Sequence, residues 1–295
     1  MLGLASHRYA AVLTDLVQSF RPGHAALAFA LSLLSLGVRA LAWGSTQNAF
    51  DRRTRLGLRQ TFYIFLAGHL GRYIPGKVFG LMGRVVLLEK RSQKAVLLSS
   101  VLDQLLTLVA GALFGVGFLA WWLAGVGWGV LGVVAPTLLV AFVLARVGLP
   151  RRVINWVLPS SSIEGEPLPF DNGRIVARMY CAAVVSLLLS GLSLYFLQRA
   201  ASMPLGPVSI SSLLPVTLSY ATAGAVGMLA WIAPAGLGVR EAVLGWLLSP
   251  VWGAQEAIAI AIAFRALQFI VELVLFLVTL VTQRVPTVQL QVKTA

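Results

Sequence analysis

Apolar residues in this chain occur in long, nearly uninterrupted runs rather than in alternation with polar ones. Five runs reach about 20 residues or more, the length that an α-helix needs to cross a bilayer. They cover 24–44, 95–123, 127–145, 175–199 and 254–281. A membrane β-barrel would instead show short segments of alternating polarity, so the pattern excludes it. The chain is therefore predicted to be an all-α polytopic membrane protein, with about five to seven spanning helices.

A further apolar stretch, 60–84, is broken by a Pro-Gly pair and by basic residues. They are Arg72, Pro75, Gly76, Lys77 and Arg84. The flanking connections 45–60 and 84–94 are both rich in Lys and Arg, which places both in the cytoplasm by the positive-inside rule. The apolar stretch before Arg72 is too short to span. Segment 60–84 is therefore predicted to be a re-entrant hairpin that enters and leaves by the cytoplasmic face.

A second break lies within 212–249 and also combines proline, glycine and arginine. Its core is Pro234-Ala-Gly236-Leu-Gly238-Val-Arg240-Glu241. The connections around it, 199–212 and 249–255, contain no basic residue except Arg199, so this break is expected to start from the outer face. The run 213–233 is just long enough to span alone, so 212–249 is either re-entrant or contains a full span. Broken helices at matching places in two halves are typical of transporters built as inverted repeats.

These patterns predict a chain of two similar membrane halves. The expected order is an interfacial segment 1–23, a first half 24–145 with hairpin 60–84, a cytoplasmic linker 146–173, a second half 174–283 with broken hairpin 212–249, and a tail 284–295. The linker is assigned from its prolines, serines and acidic residues.

The composition of the chain is that of a protein surrounded by lipid, and it excludes some classes of function. Hydrophobic residues make up 58% of the chain, charged residues only 11%, and the net charge is +13. A soluble protein carries about 25% charged residues. The positive charge lies in connections, as the positive-inside rule demands, and no nucleic-acid motif or ATP-binding motif is present, so no nucleic-acid partner is expected. One cysteine and three histidines without ligand spacing predict neither a metal site nor a cofactor.

The two breaks are expected to form a cationic headgroup site inside the bilayer. Half-helices direct backbone N–H groups and positive dipole ends toward the membrane interior. Four basic residues add charge that suits phosphate: Arg72, Lys77, Arg84 and Arg240. Gly236 and Gly238 are expected to let backbone approach the headgroup, with Glu241 orienting or balancing Arg240. The alternative is that these arginines reach toward the interface and play no part in binding.

Ionisable residues inside the long helices need partners, because an isolated charge in lipid is costly. Asp103 lies in run 95–123, and Arg265, Gln268 and Glu272 lie on one face of run 254–281. If the repeat holds, Asp103 and Arg265 occupy related positions, which predicts an ion pair between them. The pair is either purely structural or, together with Glu241 and Glu272, part of a proton relay.

Three groups of residues resemble the transmembrane region of bacterial lysylphosphatidylglycerol synthases. They are Arg39 with Trp43, then Pro75, Gly80 and Arg84, and finally Pro-x-Gly-x-Gly-x-Arg-Glu at 234–241. The resemblance covers about residues 24–281. It implies a multi-pass protein of the bacterial inner membrane that moves a lipid with a polar or charged headgroup between leaflets. Expected partners are anionic phospholipids or polyprenyl-phosphate-linked lipids, together with lipid-modifying or glycosyltransferase enzymes.

The chain departs from this family plan in having one N-terminal helix fewer and no soluble aminoacyl-transferase domain, so synthase activity is not expected. Two functions compete with lipid transport. One is an intramembrane enzyme that acts on lipid phosphates, for which His69 is the one candidate nucleophile in the membrane. The other is a scaffold for envelope-lipid synthesis, which has no use for costly charges inside the membrane.

Overall fold

A computed structural model of the chain describes residues 20–50, 55–74, 78–88, 93–147, 172–201, 207–230 and 234–282. In these ranges the chain forms nine α-helices. They are α1 (Pro22–Phe50), α2 (Leu58–Gly71), α3 (Val78–Leu87), α4 (Gln93–Ala124), α5 (Val126–Val147), α6 (Gly173–Ala200), α7 (Ile210–Leu229), α8 (Val239–Trp252) and α9 (Ala254–Thr282). A short 3₁₀ turn, Pro234–Gly236, precedes α8.

Six helices are long and apolar enough to cross a membrane, which confirms the predicted polytopic α-helical fold. They are α1, α4, α5, α6, α7 and α9. Helix α7 was not among the five apolar runs, because its serines and threonines lower its mean hydropathy to 1.3. More than half of its apolar window, 56%, is buried inside the bundle. The protein thus surrounds the polar side chains of α7 where lipid would not tolerate them.

Three of the four helices next to the two breaks are shorter than the six candidate spans. Helices α2, α3 and α8 have 14, 10 and 14 residues. At 1.5 Å per residue they extend for roughly 15–21 Å, well short of a hydrocarbon core of about 30 Å. None of these three helices is long enough to cross a membrane alone, whereas α7, which precedes the second break, is. The predicted segments 1–23, 146–173 and 284–295 fall largely on 1–19, 148–171 and 283–295, outside the described residues.

Re-entry of segment 60–84 from the cytoplasm stays a prediction, and labelling tests it. In a Cys181→Ser background, Arg55→Cys and Lys90→Cys flank the hairpin. A membrane-impermeant thiol reagent is expected to modify both cysteines only from the cytoplasmic side, since both connections are basic. Modification of the two sites from opposite faces would show that α2 and α3 together cross the membrane, which contradicts re-entry.

Helices α1 and α6, the first long helices of the two halves, pack closely through serines. Ser35 Oγ lies 2.8 Å from both Ser186 Oγ and Ser190 Oγ, and Ser32 Oγ lies 2.8 Å from Ser193 Oγ. Small hydroxyl side chains let helix backbones approach and hydrogen-bond across the interface, which is how helices associate in lipid.

Helices of the first half also pack against helices of the second half. The last long helix of the second half, α9, packs on α2 of the first break, and α4 of the first half packs on α7 of the second. A Cβ atom on Gly111 of α4 would lie 2.9 Å from the carbonyl oxygen of Ala221, so α4 and α7 touch there backbone to backbone. One arm of each break thus packs against a helix of the opposite half.

Candidate functional site

A polar cavity of about 490 Å³ lies among the two breaks and the helices that enclose them. Four arginines line it: Arg39, Arg72, Arg84 and Arg240. Arg39 comes from the middle of α1, Arg72 directly follows α2, Arg84 lies in α3 and Arg240 lies in the first turn of α8. The fold thus brings together three of the four basic residues predicted from sequence. Lys77, with Pro75 and Gly76, lies outside the described residues.

Two of these arginines are neutralised by buried carboxylates. Arg39 Nη2 lies 2.7 Å from Asp103 Oδ2, and Arg72 Nη2 forms an ion pair with Glu272 Oε1. Both carboxylates also line the cavity. Each pair joins two elements distant in sequence, α1 to α4 and the end of α2 to α9.

The predicted ion pair between Asp103 and Arg265 is therefore wrong. Asp103 is paired with Arg39, while Arg265 Nη2 donates a hydrogen bond to the Ala235 carbonyl oxygen at 3.1 Å. Arg265 Nε also lies 3.6 Å from Glu241 Oε1. Because α9 packs against the second break, Arg265 lies beside the 3₁₀ turn. It does not pair with Asp103, the partner that its position in the sequence predicted.

Glu241 also differs from expectation, since its contacts lead away from Arg240. Its Oε2 accepts a hydrogen bond from the Gly238 N–H at 2.7 Å, at the start of α8. Its Oε1 faces Arg265. A carboxylate in the first turn satisfies backbone donors and interacts favourably with the helix dipole, so Glu241 stabilises the start of α8.

Arg84 is the most enclosed of the cavity arginines, with 4% of the residue exposed. Its guanidinium lies 4.7 Å from the Phe65 ring and 5.0 Å from the Trp43 ring. Nη1 donates to Ser100 Oγ at 3.2 Å, and Nη2 lies 3.2 Å from His69 Nδ1. Rings and neutral acceptors hold the side chain in place without cancelling its charge.

Arg240 is held in a similar way. Its guanidinium lies 4.7 Å from the ring of Tyr220 in α7, and the Tyr220 hydroxyl accepts a hydrogen bond from Gln268 Nε2 at 2.8 Å. Within the described ranges, neither Arg240 nor Arg84 forms an ion pair with a carboxylate. With four arginines and two carboxylates in its lining, the cavity keeps two formal positive charges.

Several guanidinium donors in this lining have no partner of their own. The buried Nε groups of Arg39, Arg72 and Arg84 make no hydrogen bond in the part of the chain that the structure describes. Buried donors are normally satisfied, and leaving them unpaired costs free energy. Excess positive charge and unpaired donors together make the cavity suited to an anion with several acceptor oxygens, such as a phosphate.

The two glycines of the second break have different roles. Gly236 (φ +70°) belongs to the 3₁₀ turn, and a Cβ atom there would lie 2.7 Å from the Gly227 carbonyl oxygen. Gly238 (φ +83°) faces open space, with no atom within 4 Å of a Cβ. The close approach expected of both glycines therefore occurs at Gly236, between two protein segments. Pro234 begins the turn, and of its side chain the structure describes nothing.

Other lining residues were not among the predicted site residues. Arg39 entered only through the resemblance, and His69, Tyr220 and the serines of the α1–α6 interface were not assigned to the site. The cavity is also lined by Ser32, Ser35, His69, Gln104, Thr107, Ser186, Ser190 and Tyr220. One signal was present: polar residues spaced three or four apart within apolar helices, as in Ser186 and Ser190, mark a face turned from lipid.

The family model described as "Lysylphosphatidylglycerol synthase TM region" matches residues 5–275 of the chain. The match includes both breaks and every cavity arginine. No curated protein and no solved structure matches the chain with significance.

Proposed function

Because the chain belongs to the family of the lysylphosphatidylglycerol synthase transmembrane region, we propose that it moves a lipid with a charged, phosphate- or sugar-bearing headgroup between the leaflets of the bacterial inner membrane. The observation that carries this proposal is the cavity itself: four arginines and two carboxylates enclosed by apolar helices. Charge inside a membrane protein is expensive, and it marks substrate and ion pathways by default.

The sign of the cavity charge favours an anionic headgroup. A phosphate that accepts hydrogen bonds from arginine exchanges its hydration for bidentate, charge-assisted bonds. A headgroup with a net positive charge would meet two uncompensated arginines in a low dielectric. The proposed substrates are therefore an anionic phospholipid or a polyprenyl-phosphate-linked lipid.

The acyl chains can stay in the bilayer while the headgroup occupies the cavity. Helices α4 and α7 touch at Gly111 and Ala221, yet Gln104 of α4 and Leu229 of α7 line the cavity at positions nearer the breaks. Leu229 is 67% exposed. We propose that the headgroup enters the cavity from the bilayer between these parts of α4 and α7.

Transport is proposed to run without ATP, since the chain has no Gly-x4-Gly-Lys-Ser/Thr motif. The lipid then moves down its own gradient or is coupled to an ion gradient. The three deep carboxylates, Asp103, Glu241 and Glu272, are the candidates for a proton relay. The guanidinium partners of Asp103 and Glu272 line the cavity, where a headgroup phosphate would compete for them.

Reconstitution tests the function directly. Vesicles of phosphatidylethanolamine and phosphatidylglycerol carry a tail-labelled phosphatidylglycerol or a tail-labelled polyprenyl phosphate, and a membrane-impermeant quencher reads the outer-leaflet fraction. The wild type is expected to accelerate exchange of at least one reporter. Arg240→Ala is expected to slow that exchange by about tenfold or more, because one charge-assisted hydrogen bond contributes about 1.5–3 kcal/mol. Arg240→Lys, which keeps the charge and loses the bidentate fork, is expected to be intermediate.

The matched control is Arg146→Ala. Arg146 also lies over an aromatic ring, 5.1 Å from Phe142, but it is exposed at the end of α5 and does not line the cavity. Its removal is expected to leave exchange unchanged. A well-folded Arg240→Ala protein with wild-type rates would remove the second break from the transport site. A wild type that accelerates neither reporter would refute the transport function and favour a scaffold.

One observation keeps an enzyme as the second candidate. His69 lines the cavity beside Arg84, at a distance that allows its ring to meet a phosphate bound there. A lipid phosphatase would transfer the phosphoryl group to the imidazole and then to water. Release of inorganic phosphate from a polyprenyl phosphate by the wild type, but not by His69→Gln, would establish that reaction. Lipid exchange by the wild type without any release of inorganic phosphate would exclude it.

A further inference from the structure

The two breaks share a local arrangement in which a glycine of the first arm crosses a glycine of the second. In the first break, a Cβ atom on Gly80 of α3 would lie 2.7 Å from the carbonyl oxygen of Gly68 in α2. In the second, a Cβ atom on Gly236 would lie 2.7 Å from the carbonyl oxygen of Gly227 in α7. At both crossings, the carbonyl oxygen of the first-arm glycine is thus the atom nearest to where a Cβ on the second-arm glycine would lie.

An arginine follows the second glycine by four residues in each break. Arg84 follows Gly80 by one turn of α3, and Arg240 follows Gly236 by the same number of residues and lies in the first turn of α8. Each packs over the glycine of the first arm. A Cβ on Gly68 would lie 2.7 Å from Arg84 Cγ, and one on Gly227 would lie 3.0 Å from Arg240 Cβ.

The surroundings of the two arginines also correspond. An aromatic ring from the first arm lies 4.7 Å from each guanidinium, Phe65 beneath Arg84 and Tyr220 beneath Arg240. Both arginines line the cavity, and neither has a carboxylate partner in the described ranges. The other two cavity arginines are ion-paired. The local arrangement of the breaks and the lack of a carboxylate partner therefore both identify Arg84 and Arg240.

The chain around the breaks indicates that they are reached from opposite faces. Connections 45–60 and 84–94 beside the first break are basic, whereas 199–212 and 249–255 beside the second contain no basic residue except Arg199. By the positive-inside rule, the first pair of connections lies in the cytoplasm and the second pair outside.

We infer that the cavity holds two equivalent phosphate sites, one on Arg84 and one on Arg240, and that each is loaded from a different face of the membrane. This inference rests on the proposed transport function and specifies its path: a phosphate headgroup binds the arginine of the break that enters from its own face and passes to the other. A phosphate inside the bilayer needs a cationic partner throughout its passage, since an unpaired charge there costs several kcal/mol. The ring beneath each arginine holds the guanidinium in place when the phosphate is bound to the other one.

Aromatic fluorescence can report on each site without any transport step. Trp43 lies 5.0 Å from the Arg84 guanidinium, so the difference between wild type and Trp43→Phe isolates a signal from the first site. Tyr220→Trp in the Trp43→Phe background places an indole beneath Arg240 and keeps the cation–π contact. The protein is reconstituted in one orientation, and glycerol 1-phosphate is added outside the vesicles or enclosed within them.

The Trp43 signal is expected to respond to glycerol 1-phosphate from one face only, and the Tyr220→Trp signal only from the opposite face. Arg84→Gln is expected to raise the half-saturating concentration at the first reporter by about tenfold or more, through loss of the charge-assisted bond, and to leave the second reporter within about twofold. Arg240→Gln is expected to do the reverse. Arg84→Lys and Arg240→Lys repeat the test with the charge kept, in case the neutral variants do not fold, and are expected to give smaller shifts at the same reporters. Arg146→Gln is the control for loss of an arginine outside the cavity.

Responses of both reporters from the same face, or shifts of both reporters by either arginine variant, would overturn the two-site arrangement. Silence of both reporters would overturn it as well. None of these outcomes affects the lipid-exchange assay. A protein that moves lipid but binds phosphate at one shared site would therefore support the proposed function and contradict the two-site inference.

Discussion

Exchanging the charges of Arg39 and Asp103 is expected to restore much of the stability that either single reversal removes. The two side chains are 16% and 9% exposed and 2.7 Å apart. Arg39→Asp or Asp103→Arg alone leaves two like charges facing each other inside the bundle. Breaking a buried pair costs about 3–5 kcal/mol, a large part of the stability of a typical domain. Thermal unfolding in detergent, followed by size-exclusion chromatography, measures the loss and the recovery.

A second double variant serves as the control for this pair. Asp103→Arg combined with Arg265→Asp is expected to be no more stable than the worse single variant, because Arg265 lies beside Ala235 and Glu241 rather than Asp103. Rescue by the Arg265 exchange, with no rescue by the Arg39 exchange, would contradict the pairing described above.

Gly236→Ala is expected to be the most damaging alanine substitution in the second break. The new Cβ would lie 2.7 Å from the Gly227 carbonyl oxygen, a backbone atom that cannot move without separating α7 from the turn. The residue also has φ +70°, and the left-handed region costs a non-glycine residue about 1–2 kcal/mol. Both effects lower the stability of the folded protein, and the clash also displaces Arg240, four residues on. Thermal unfolding and the lipid-exchange assay measure the two consequences.

Alanine substitutions at three other glycines separate the steric effect from the conformational one. Gly238 also has a left-handed backbone (φ +83°), but a Cβ atom there would have no other atom within 4 Å. Gly238→Ala is therefore expected to lose only the stability that the left-handed conformation costs. Gly83→Ala in α3 has open space and helical backbone and is expected to be neutral or slightly stabilising. A Cβ atom on Gly80 would clash with the Gly68 carbonyl oxygen, so Gly80→Ala is expected to lose as much stability through this clash as Gly236→Ala loses through its own. Equal stability of Gly236→Ala and Gly238→Ala would show that packing against Gly227 contributes nothing.

The sequence by itself determined the fold class, the number of spanning helices within its stated range and the positions of the two breaks. The reason is that lipid imposes a strong local rule: a spanning helix must be long and apolar, so exceptions such as Pro234 and Arg84 stand out from their neighbours. The resemblance to the family was also based on these exceptions, and the family model matches residues 5–275.

Only the tertiary structure decided which charges meet. Asp103 is neutralised by Arg39, 64 residues away along the chain, and Glu272 by Arg72, 200 residues away. Such pairings depend on how α1, α4 and α9 pack around the breaks, and hydropathy carries no information about them. The same packing decides that Arg84 and Arg240 lack carboxylate partners within the described ranges, because partner choice in a bundle is set by which helix faces converge.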